Sequence, residues 1–507
     1  MIWLLSMFGC QPHPVLPSGP MDSVPGHLVI AHTNDIHAHF EPNRAEWLPG
    51  EPAIGGFGEI SGLVSQLHKE KGDDHVLYLD GGDMMTGTPL MEFEVNGVRG
   101  GAMMDFTSDA GMDAWVLGNH EFDIGFDHIS ALVGASKVPV LSANLDHVNG
   151  SGQPAIDGLK DHIIIQRAGV RVGIFGLTTD SLARLTGTDA TDHMVVRDVV
   201  EVAREQVAAL VDQVDLVVAL THVGLDTDQR IAGEVPGIDL IVGGHSHTPL
   251  VEPVQVGDTW IVQAGCYARQ LGVTEMDVVD GNIVNFSAKL VDLTPGAVEV
   301  PEASATLMQT WKERIDGHFA EIIGRVEGAT LDRSKNAETP LGRWAADMVR
   351  SAAGTDIGIY NPGGLRADLV AGPLTRGGLY QVFPFSNDVV QFDVSGEQVV
   401  GLLLKNAESE ISGRHPVMQL SGVAAQWRLR AGAPELVSVT VGETELDPDA
   451  VYTAATNSYV TDRWQYNLGF EPTNQVPQGL TVFEAAVARA QAGVIVSPSS
   501  PRMTRSE

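Results

Sequence analysis

The sequence predicts an α/β fold whose functional residues lie at the carboxyl ends of buried strands. Short runs of Val, Ile and Leu recur between residues 27 and 247, and each run ends in a cluster of polar residues. Helical patterns lie between several of these runs, for example at Gly58–His68 and Asp198–Val211. Alternating β and α segments are typical of sheets that bind ligands at their strand ends.

Five apolar runs carry the polar clusters, and each run is short enough to be a buried strand. The clusters are rich in Asp, Asn and His, and four of the five contain His, which favours one shared site over unrelated turns. The predicted strands are His27–His32, Val76–Leu79, Ala114–Leu117, Leu216–Leu220 and Ile238–Val242.

A long helical pattern divides the chain. From Pro301 to about Ile323 apolar residues recur on one stripe, which indicates a helix between two domains. A second α/β region follows, with a helix predicted at Leu341–Ala352 and a strand at Asp356–Tyr360. The predicted organisation is a leader or tether at 1–26, a first α/β domain at 27–298, the helix at 299–323, a second α/β domain at 324–490 and a polar tail at 491–507.

The chain is strongly acidic, with a formal net charge of -34 at pH 7. Such a surface repels polyphosphate backbones, so nucleic-acid polymers are excluded as expected partners. An anionic small-molecule substrate would need positive charge inside its binding site, supplied by metal ions or by a few Arg side chains. The sequence leaves the oligomeric state open.

The N-terminus has the features of an export signal. An apolar run at Met1–Gly9 precedes Cys10, and the stretch from Leu5 to Cys10 resembles a bacterial lipoprotein signal. We therefore expect an exported protein, periplasmic or at the cell surface, with lipid attachment at Cys10. The two cysteines, Cys10 and Cys266, provide no disulfide framework, and we expect Cys266 to be a packed thiol.

The polar clusters contain the donor atoms of a metal site. Asp35 and His37 lie at i and i+2, as do His245 and His247, and on an extended chain such pairs point to the same side. Mixed His, Asp and Asn donors suit transition metals, whereas Mg and Ca sites use oxygen almost alone. Seven donors are too many for one ion and fit two ions that share a ligand. The candidate ligands are Asp35, His37, Asp83, Asn119, His222, His245 and His247.

This motif series resembles that of the calcineurin-like metallophosphoesterases. It reads D-x-H from Asp35, G-G-D to Asp83, G-N-H-E-x-D around Asn119, T-H-x-G at His222 and G-G-H-S-H at His245. Together with the C-terminal motifs below, the chain is similar to the 5'-nucleotidase family. The resemblance implies a catalytic β-sandwich flanked by helices, an interdomain helix and a second α/β domain that binds substrate.

The resemblance also assigns roles to the site residues. It implies two divalent ions, drawn from Mn, Co, Zn or Fe, and water activated by these ions that attacks phosphorus. His120, oriented by Asp123, would stabilise the transition state and the leaving oxygen. Glu121 and His39 lie near the site in sequence, without an assigned role. By resemblance one ion is held by Asp35, His37 and His247, Asp83 is the bridging ligand, and Asn119, His222 and His245 complete the second ion.

Two motifs of the second domain resemble the family's substrate-binding motifs. Residues 361–366 match N-x-G-G-[IL]-R, in which glycines admit a ligand close to the backbone and the Arg pairs with an anion. Residues 384–387 match P-F-x-N, in which the aromatic ring stacks a base. The implied substrate-binding residues are Asn361, Gly363, Arg366, Phe385, Asn387, Tyr459 as a second stacking ring, and Arg333 before the following helix.

One segment departs from the family pattern. Where relatives carry G-G-D-G-[YF], whose Asp contacts ribose, residues 461–466 lack a glycine pair, and Asp462 is too close to Tyr459 for a clear match. Three functions therefore stay open. The first is a 5'-nucleotidase, with UDP-sugar or 2',3'-cyclic nucleotide hydrolysis as further activities. The others are a dimetal hydrolase of a non-nucleotide ester and a non-catalytic surface binding protein.

Overall fold

The computed structural model describes residues 26–45, 50, 52–149, 153–186, 191–385, 387–498 and 500–506. The predicted leader and its lipid-attachment residue Cys10 lie outside these residues. Within the described part of the chain, no helix has the length and apolar character needed to cross a membrane.

Two six-stranded sheets pack face to face in the first half of the chain. The strand His27–Thr33 lies inside the first sheet, parallel to Val76–Asp80 and antiparallel to Gln270–Val279. Leu28 of the first sheet and Val172 of the second are fully buried in the core between the sheets. In spatial order the first sheet contains Asn282–Asp292, Gln270–Val279, His27–Thr33, Val76–Asp80, Ala114–Val116 and Val140–Leu141, and the second contains His162–Arg167, Val170–Thr178, Leu216–His222, Leu240–Val242, Thr259–Val262 and Val254–Val256.

Helices pack around this sandwich of sheets. Asp198 shows why one of them begins where it does, since its side chain accepts hydrogen bonds from the backbone N–H groups of Val200 and Glu201. Among the described residues of this half, the α-helices are Phe57–Lys71, Ala102–Asp109, Phe126–Ala135, Leu182–Leu185, Val199–Leu210 and Leu225–Glu234, with 3-10 turns at Asp73–His75, Pro89–Glu92 and His120–Phe122. Short strand pairs join Asn43–Arg44 to Ala53–Ile54, Glu94–Val95 to Val98–Arg99, and Leu145–His147 to Met194–Val196.

The predicted elements of this half are present with small shifts at their ends. The strand expected at Ile238–Val242 begins at Leu240, and the helix expected at Gly58–His68 runs from Phe57 to Lys71. The β-sandwich flanked by helices is therefore confirmed. Hydrophobic periodicity located these elements because their apolar residues are the ones that become buried.

The helix Glu302–Phe319 follows the sandwich and precedes the second half. Its side chains Trp311 and Phe319 are buried in a hydrophobic core that contains residues of both halves. The helix is shorter than predicted, because Ile322–Glu327 is a strand that pairs with Gly372–Thr375 and with Val494–Val496.

Three sheets and several helices make up the second half. The largest sheet has five strands and carries the two predicted substrate motifs near its strand ends. Its spatial order is Gln419–Ser421, Ile357–Tyr360, Val451–Asn457, Asp388–Ser395 and Thr473–Thr481; the three-stranded sheet is Gly372–Thr375, Ile322–Glu327 and Val494–Val496; the four-stranded sheet is Thr444–Glu445, Ala433–Val441, Val423–Arg430 and Met503–Arg505. The helices are Pro340–Ala353, Arg376–Val382, Gly396–Ser412, Ser458–Asp462, Trp464–Asn467 and Val482–Gln491, with a 3-10 turn at Pro362–Gly364.

The prediction of a polar tail at residues 491–507 is wrong. Val494–Val496 and Met503–Arg505 are strands, each paired in parallel with an interior strand of the second half. Between them, Arg502 donates hydrogen bonds of 3.0 and 3.1 Å to the Asp347 carboxylate. A short edge strand is held by backbone hydrogen bonds, which form whatever the polarity of its side chains. Val494–Val496 is itself a short apolar run that the polar-tail prediction overlooked, whereas Met503–Arg505 has no comparable pattern.

Candidate active site

The candidate metal ligands meet at the carboxyl ends of strands from both sheets. Asp83 follows the strand Val76–Asp80 of the first sheet, and His222 ends the strand Leu216–His222 of the second. Asp83 and His37 each belong to two of the three close groups. The side chains that offer ligand atoms within 4.8 Å of one another are Asp35, His37 and His247; Asp83, His222 and His245; and His37, Asp83 and His120.

Short distances join these side chains around a common centre. The Nε2 atom of His247 lies 3.2 Å from Asp35 Oδ1 and 3.2 Å from His37 Nε2. The Nε2 atom of His222 lies 3.1 Å from Asp83 Oδ2. His37 Nε2 lies 3.9 Å from both Asp35 Oδ1 and Asp83 Oδ2, so it stands between the two carboxylates.

Three buried atoms of this cluster form no well-aligned hydrogen bond, namely Asp35 Oδ1, Asn119 Oδ1 and His222 Nε2, each on a residue no more than 5% exposed. Asp35 Oδ1 and His222 Nε2 have the charged contacts to His247 and Asp83 given above, whereas Asn119 Oδ1 has no hydrogen-bond partner among the described residues. A buried polar atom without a partner costs about 1–3 kcal/mol, which a folded protein normally avoids. Buried O and N atoms gathered in this way fit the coordination of divalent transition metals.

The backbone of the ligand loops is left-handed rather than extended. The φ angles are 51° at Asp35, 50° at His37, 54° at Asp83, 77° at His245 and 54° at His247. The expectation that Asp35 and His37 share a side of an extended chain is therefore wrong, although their side chains do converge. Such conformations cost of order 1–3 kcal/mol each outside glycine and are concentrated at functional sites.

Glycines allow the ligand loops to pack against each other. A Cβ atom at Gly118 would collide with the Asp83 carboxylate, and one at Gly244 would collide with the carbonyl oxygen of Gly81. His222 Nδ1 contacts the same Gly81 carbonyl at 2.7 Å, which fixes the orientation of its ring. The G-G-D, G-N-H and G-G-H motifs thus need glycine because backbones and ligands approach closely here.

Burial and the two carboxylates set the protonation of the imidazoles. Burial lowers the pKa of His37 to about 3 and that of His245 to about 4. Burial also opposes the charged form of His222, but the charge of Asp83 outweighs it and raises the pKa of His222 to about 10. The same opposition between burial and Asp35 raises the pKa of His247 to about 10. A divalent ion takes neutral imidazole, so binding there would release these protons.

His120 and Asp123 form a hydrogen-bonded pair beside the ligand cluster. His120 Nδ1 lies 2.7 Å from Asp123 Oδ2, and the same oxygen accepts a hydrogen bond of 2.7 Å from Thr86 Oγ1. The His120 ring is 5.1 Å from the ring of His37. Burial would lower the pKa of His120, but the charges of Asp123 and Asp83 raise it to about 9.

Glu121 fixes the backbone of two ligand loops, a role that sequence reasoning missed. Its fully buried carboxylate accepts hydrogen bonds from the N–H groups of Gly118, Asp83 and Met85 at 2.6, 3.1 and 3.0 Å. Burial and the nearby Asp83 raise the pKa of Glu121 to about 7. The indication in the sequence was the position of Glu121 next to His120 in the motif. Sequence alone does not reveal hydrogen bonds to a loop 38 residues away.

A cavity of about 630 Å³ extends from the ligand cluster to the second half of the chain. His37 and His120 line one part of it, and Arg333, Arg366 and Phe385 line another. The Phe385 ring stacks on the His120 ring, with centroids 6.2 Å apart, and the guanidinium carbon of Arg366 lies 5.5 Å from the Phe385 centroid. Three predicted substrate residues are therefore brought to the candidate catalytic centre.

Three further cavity residues come from the first half, and two of them were missed by sequence reasoning. Tyr267 lies 4.6 Å from the ring of His39 and 5.4 Å from that of His247. The guanidinium carbon of Arg269 lies 4.9 Å from the Tyr267 centroid. The side chains of His39, Tyr267 and Arg269 all line the cavity. The dipeptide Cys266-Tyr267 had no motif to mark it, so no sequence signal pointed to this wall.

Four other predicted substrate residues are not among those that line this cavity. Asn361 is buried, and its side-chain oxygen accepts a hydrogen bond of 2.8 Å from Asn457. Among the described rings, the one stacked on Phe385 is His120 rather than Tyr459, which lies in the helix Ser458–Asp462. The others are Gly363, in the 3-10 turn Pro362–Gly364, and Asn387, whose carbonyl accepts a hydrogen bond from Val482 N–H.

The segment that departs from the family pattern contacts the first half of the chain. Arg463 donates a hydrogen bond from its guanidinium to the carbonyl oxygen of Thr186. Asp462 ends the preceding helix, one residue before this contact.

Each half of the chain matches the model of a known protein family. The calcineurin-like phosphoesterase model matches residues 28–249, and the model of the 5'-nucleotidase C-terminal domain matches residues 317–466. The chain belongs to the 5'-nucleotidase family. This assignment makes it a phosphoester hydrolase of the metallophosphoesterase type and implies binding of divalent metal, for which the ligand cluster provides the side chains.

Individual relatives of this 5'-nucleotidase family member have low sequence identity to it, but the matches cover most of the chain. A 5'-nucleotidase of Diplobatis ommata is 26% identical over 487 residues, covering 87% of this chain and 83% of that protein. A trifunctional nucleotide phosphoesterase of Bacillus subtilis (strain 168) is 28% identical over 496 residues, covering 88% of this chain but only 32% of that longer protein. The crystal structure of a 5'-nucleotidase precursor from Thermus thermophilus matches with a TM-score of 0.76 and 26% identity, over 94% of this chain and 99% of that one.

Proposed function

We propose that the chain hydrolyses nucleoside 5'-monophosphates to nucleoside and phosphate, using two divalent metal ions. One observation carries the proposal: Phe385 of the second half stacks on His120 at the edge of the ligand cluster. A substrate with a phosphate at the metals and an aromatic base near Phe385 would use both parts of the cavity. Hydrolysis of UDP-sugars or 2',3'-cyclic nucleotides would use the same groups.

The ligand assignment uses two of the three close groups of side chains and adds Asn119, whose buried Oδ1 atom has no hydrogen-bond partner in the described part of the chain. We assign Asp35, His37 and His247 to one ion, and Asn119, His222 and His245 to the other, with Asp83 shared. Divalent ions bound there would neutralise phosphoryl charge and lower the pKa of a water molecule. The imidazole content favours Mn, Co, Zn or Fe over Ca.

The residues of the chain position the reacting groups. Asp123 holds the Nδ1 side of the His120 ring, which leaves Nε2 to stabilise the leaving oxygen. Thr86 holds the same Asp123 oxygen and so restricts its movement. Arg366 and Arg333 supply positive charge on the far wall of the cavity, where this acidic protein needs it for an anionic substrate.

A second candidate function is hydrolysis of a phosphoester that is not a nucleotide. It is favoured by the segment after Tyr459, which lacks the glycine pair and in which Arg463 bonds to Thr186. The ribose-contacting Asp of the family pattern therefore has no clear match in this segment. A non-catalytic binding protein is the third candidate, and the intact His120–Asp123 pair argues against it.

The test is hydrolysis of a panel of substrates, measured as phosphate release for the monoesters and by separation of the products for UDP-glucose and 2',3'-cyclic AMP, whose hydrolysis does not itself release phosphate. AMP, UMP, UDP-glucose, 2',3'-cyclic AMP and p-nitrophenyl phosphate would be compared in Mn, Co, Zn and Mg. We expect the nucleoside 5'-monophosphates to have the highest kcat/KM. Turnover of simple phosphoesters without any nucleotide would favour the second function, and no turnover in any metal would favour the binding protein.

We also propose that the protein is exported and lipid-anchored through Cys10. The proposal is supported by the apolar run Met1–Gly9 that precedes this cysteine. Growth with a labelled fatty acid should label the wild type but not the Cys10→Ser variant. Equal labelling of the two proteins would contradict the lipid anchor.

A further inference from the structure

We propose that Arg269 binds the phosphoryl group of the substrate from the catalytic half of the cavity, opposite Arg333 and Arg366. The proposal rests on the phosphoester hydrolysis proposed above and adds a residue to it. Arg269 would then be a substrate-binding residue in the same domain as the metal ligands.

The position of Arg269 carries the inference. It lines the same cavity as His37 and His120, so its side chain shares the space in which a phosphoester must react. Its guanidinium carbon lies 4.9 Å from the centroid of Tyr267. The Tyr267 ring in turn lies 5.5 Å from the ring of His37, a candidate metal ligand. The Tyr267 ring therefore lies close both to the guanidinium and to a candidate ligand of the cluster.

Tyr267 restricts where that guanidinium can go. Its backbone is left-handed, with φ 61°, and its N–H donates a hydrogen bond of 2.7 Å to the carbonyl oxygen of Asp35. The ring is thereby tied to a ligand loop, and the guanidinium lies over its face in a cation–π arrangement. A planar guanidinium held in this way loses less conformational entropy on binding a phosphate, which it can contact with two N–H groups.

The charge balance of the molecule explains why a third Arg matters. The chain has 31 Lys and Arg against 65 Asp and Glu, so an anion approaching the surface is repelled on average. Three cavity residues oppose this repulsion locally, Arg269 from one half and Arg333 and Arg366 from the other. Because Arg269 is in the catalytic half, its contact does not depend on how a substrate reaches the second half.

Loss of Arg269 should affect a wider range of substrates than loss of Phe385. A residue that contacts the phosphoryl group serves every phosphoester, with or without a base. Loss of Arg269 should therefore weaken the binding of AMP and of p-nitrophenyl phosphate to a similar extent. It should also weaken the binding of inorganic phosphate, which is a product and carries no other group.

The experiment uses the Mn-loaded full chain and the variants Arg269→Gln and Arg269→Lys. Phosphate binding is measured by calorimetry, and KM and kcat are measured for both substrates. We expect Arg269→Gln to weaken phosphate binding and to raise KM by about 10- to 100-fold, the usual range for a hydrogen bond to a charged group. Metal content and kcat should change little, because the contact exists before and during the reaction. Arg269→Lys should restore part of the binding, since it keeps the charge.

Arg505→Gln is the matched control, because Arg505 lies over the ring of Trp427 at 5.4 Å, outside this cavity. It should leave phosphate binding and KM at wild-type values. Unchanged phosphate binding in Arg269→Gln would overturn the inference, as would a loss that appears only together with loss of metal. If the wild type binds phosphate but hydrolyses no ester, the proposed function fails, while the binding data still decide the role of Arg269.

Discussion

The imidazole of His120 lies nearly parallel to the phenyl ring of Phe385, with ring planes 21° apart and centroids 6.2 Å apart. His120 follows the strand Ala114–Val116 of the catalytic sandwich, whereas Phe385 precedes the strand Asp388–Ser395 of the second half. The two rings are 265 positions apart in the sequence, the difference between 385 and 120. A residue predicted to read the substrate thus contacts a residue predicted to act on its phosphate.

Phe385→Ala should lower kcat/KM for AMP by about 5- to 150-fold, because stacking on an aromatic ring contributes about 1–3 kcal/mol per base. Hydrolysis of p-nitrophenyl phosphate should fall far less, since that substrate has no base. Steady-state kinetics on both substrates provide the measurement. As a control, Phe286→Ala removes a ring stacked on Trp260 and should leave kcat/KM for both substrates unchanged. Equal losses on both substrates in Phe385→Ala would mean that the ring supports the fold or the position of His120 and does not bind the base.

His120→Ala should lower kcat by roughly 10²–10⁴-fold, the usual contribution of a positioned acid or base. Its ring is held by Asp123 rather than by a ligand loop carboxylate, so metal content should stay near that of the wild type. Kinetics and metal analysis on one preparation test both statements. His162→Ala, which removes an imidazole bound to Gln206, is the control. Loss of metal together with activity would show that His120 is itself a ligand.

Asp83→Asn should reduce activity and metal content more than His247→Ala does. Asp83 is 2% exposed and lies close to candidate ligands of both ions, whereas the side chain of His247 is 32% exposed and belongs to one group. Metal analysis after dialysis, with activity in added Mn, distinguishes the variants. A larger loss in His247→Ala would place the shared ligand elsewhere.

Removal of divalent metal should abolish hydrolysis. Among the described residues, buried Asn119 Oδ1 has no hydrogen-bond partner, and Asp35 Oδ1 and His222 Nε2 have only charged contacts to His247 and Asp83, so a bound cation would satisfy all three atoms. Mn or Co should restore activity to the metal-free protein better than Ca, because imidazole nitrogen suits the first two ions. Full activity in excess chelator, with metal removal verified by elemental analysis, would refute the two-metal proposal.

Glu121→Gln should lower the thermal midpoint of unfolding and weaken metal binding. The amide offers one acceptor oxygen in place of two, so backbone N–H groups of Gly118, Asp83 and Met85 would compete for it. Each buried N–H group left without a partner costs about 1–3 kcal/mol. Thermal unfolding and metal titration provide the measurements.

Glu338→Gln is the matched control for this change, since Glu338 accepts backbone hydrogen bonds from Arg502 and Met503 in the second half. It should lower stability without altering metal affinity. If Glu121→Gln behaves in the same way, Glu121 supports the fold and not the ligand loops in particular.

The sequence by itself determined the elements and the composition of the candidate site. Buried strands were located because their apolar runs are local, and the ligand set was located because each motif follows such a run directly. The stripe containing Trp311 and Phe319 identified the connecting helix for the same reason. These features depend on residues that are close together in the sequence, so the pattern of residue types is enough to predict them.

Only the tertiary structure decided which distant groups meet. The stacking of His120 on Phe385, the bonds from Glu121 to the loop at Asp83, and the position of Arg269 over Tyr267 near His37 join segments that no motif connects. The edge strands in the predicted tail and the left-handed backbone of the ligand loops also depend on contacts between distant segments. Hydrogen bonds and packing between distant segments stabilise them. The sequence around one segment does not show where its partner segment will lie in the fold.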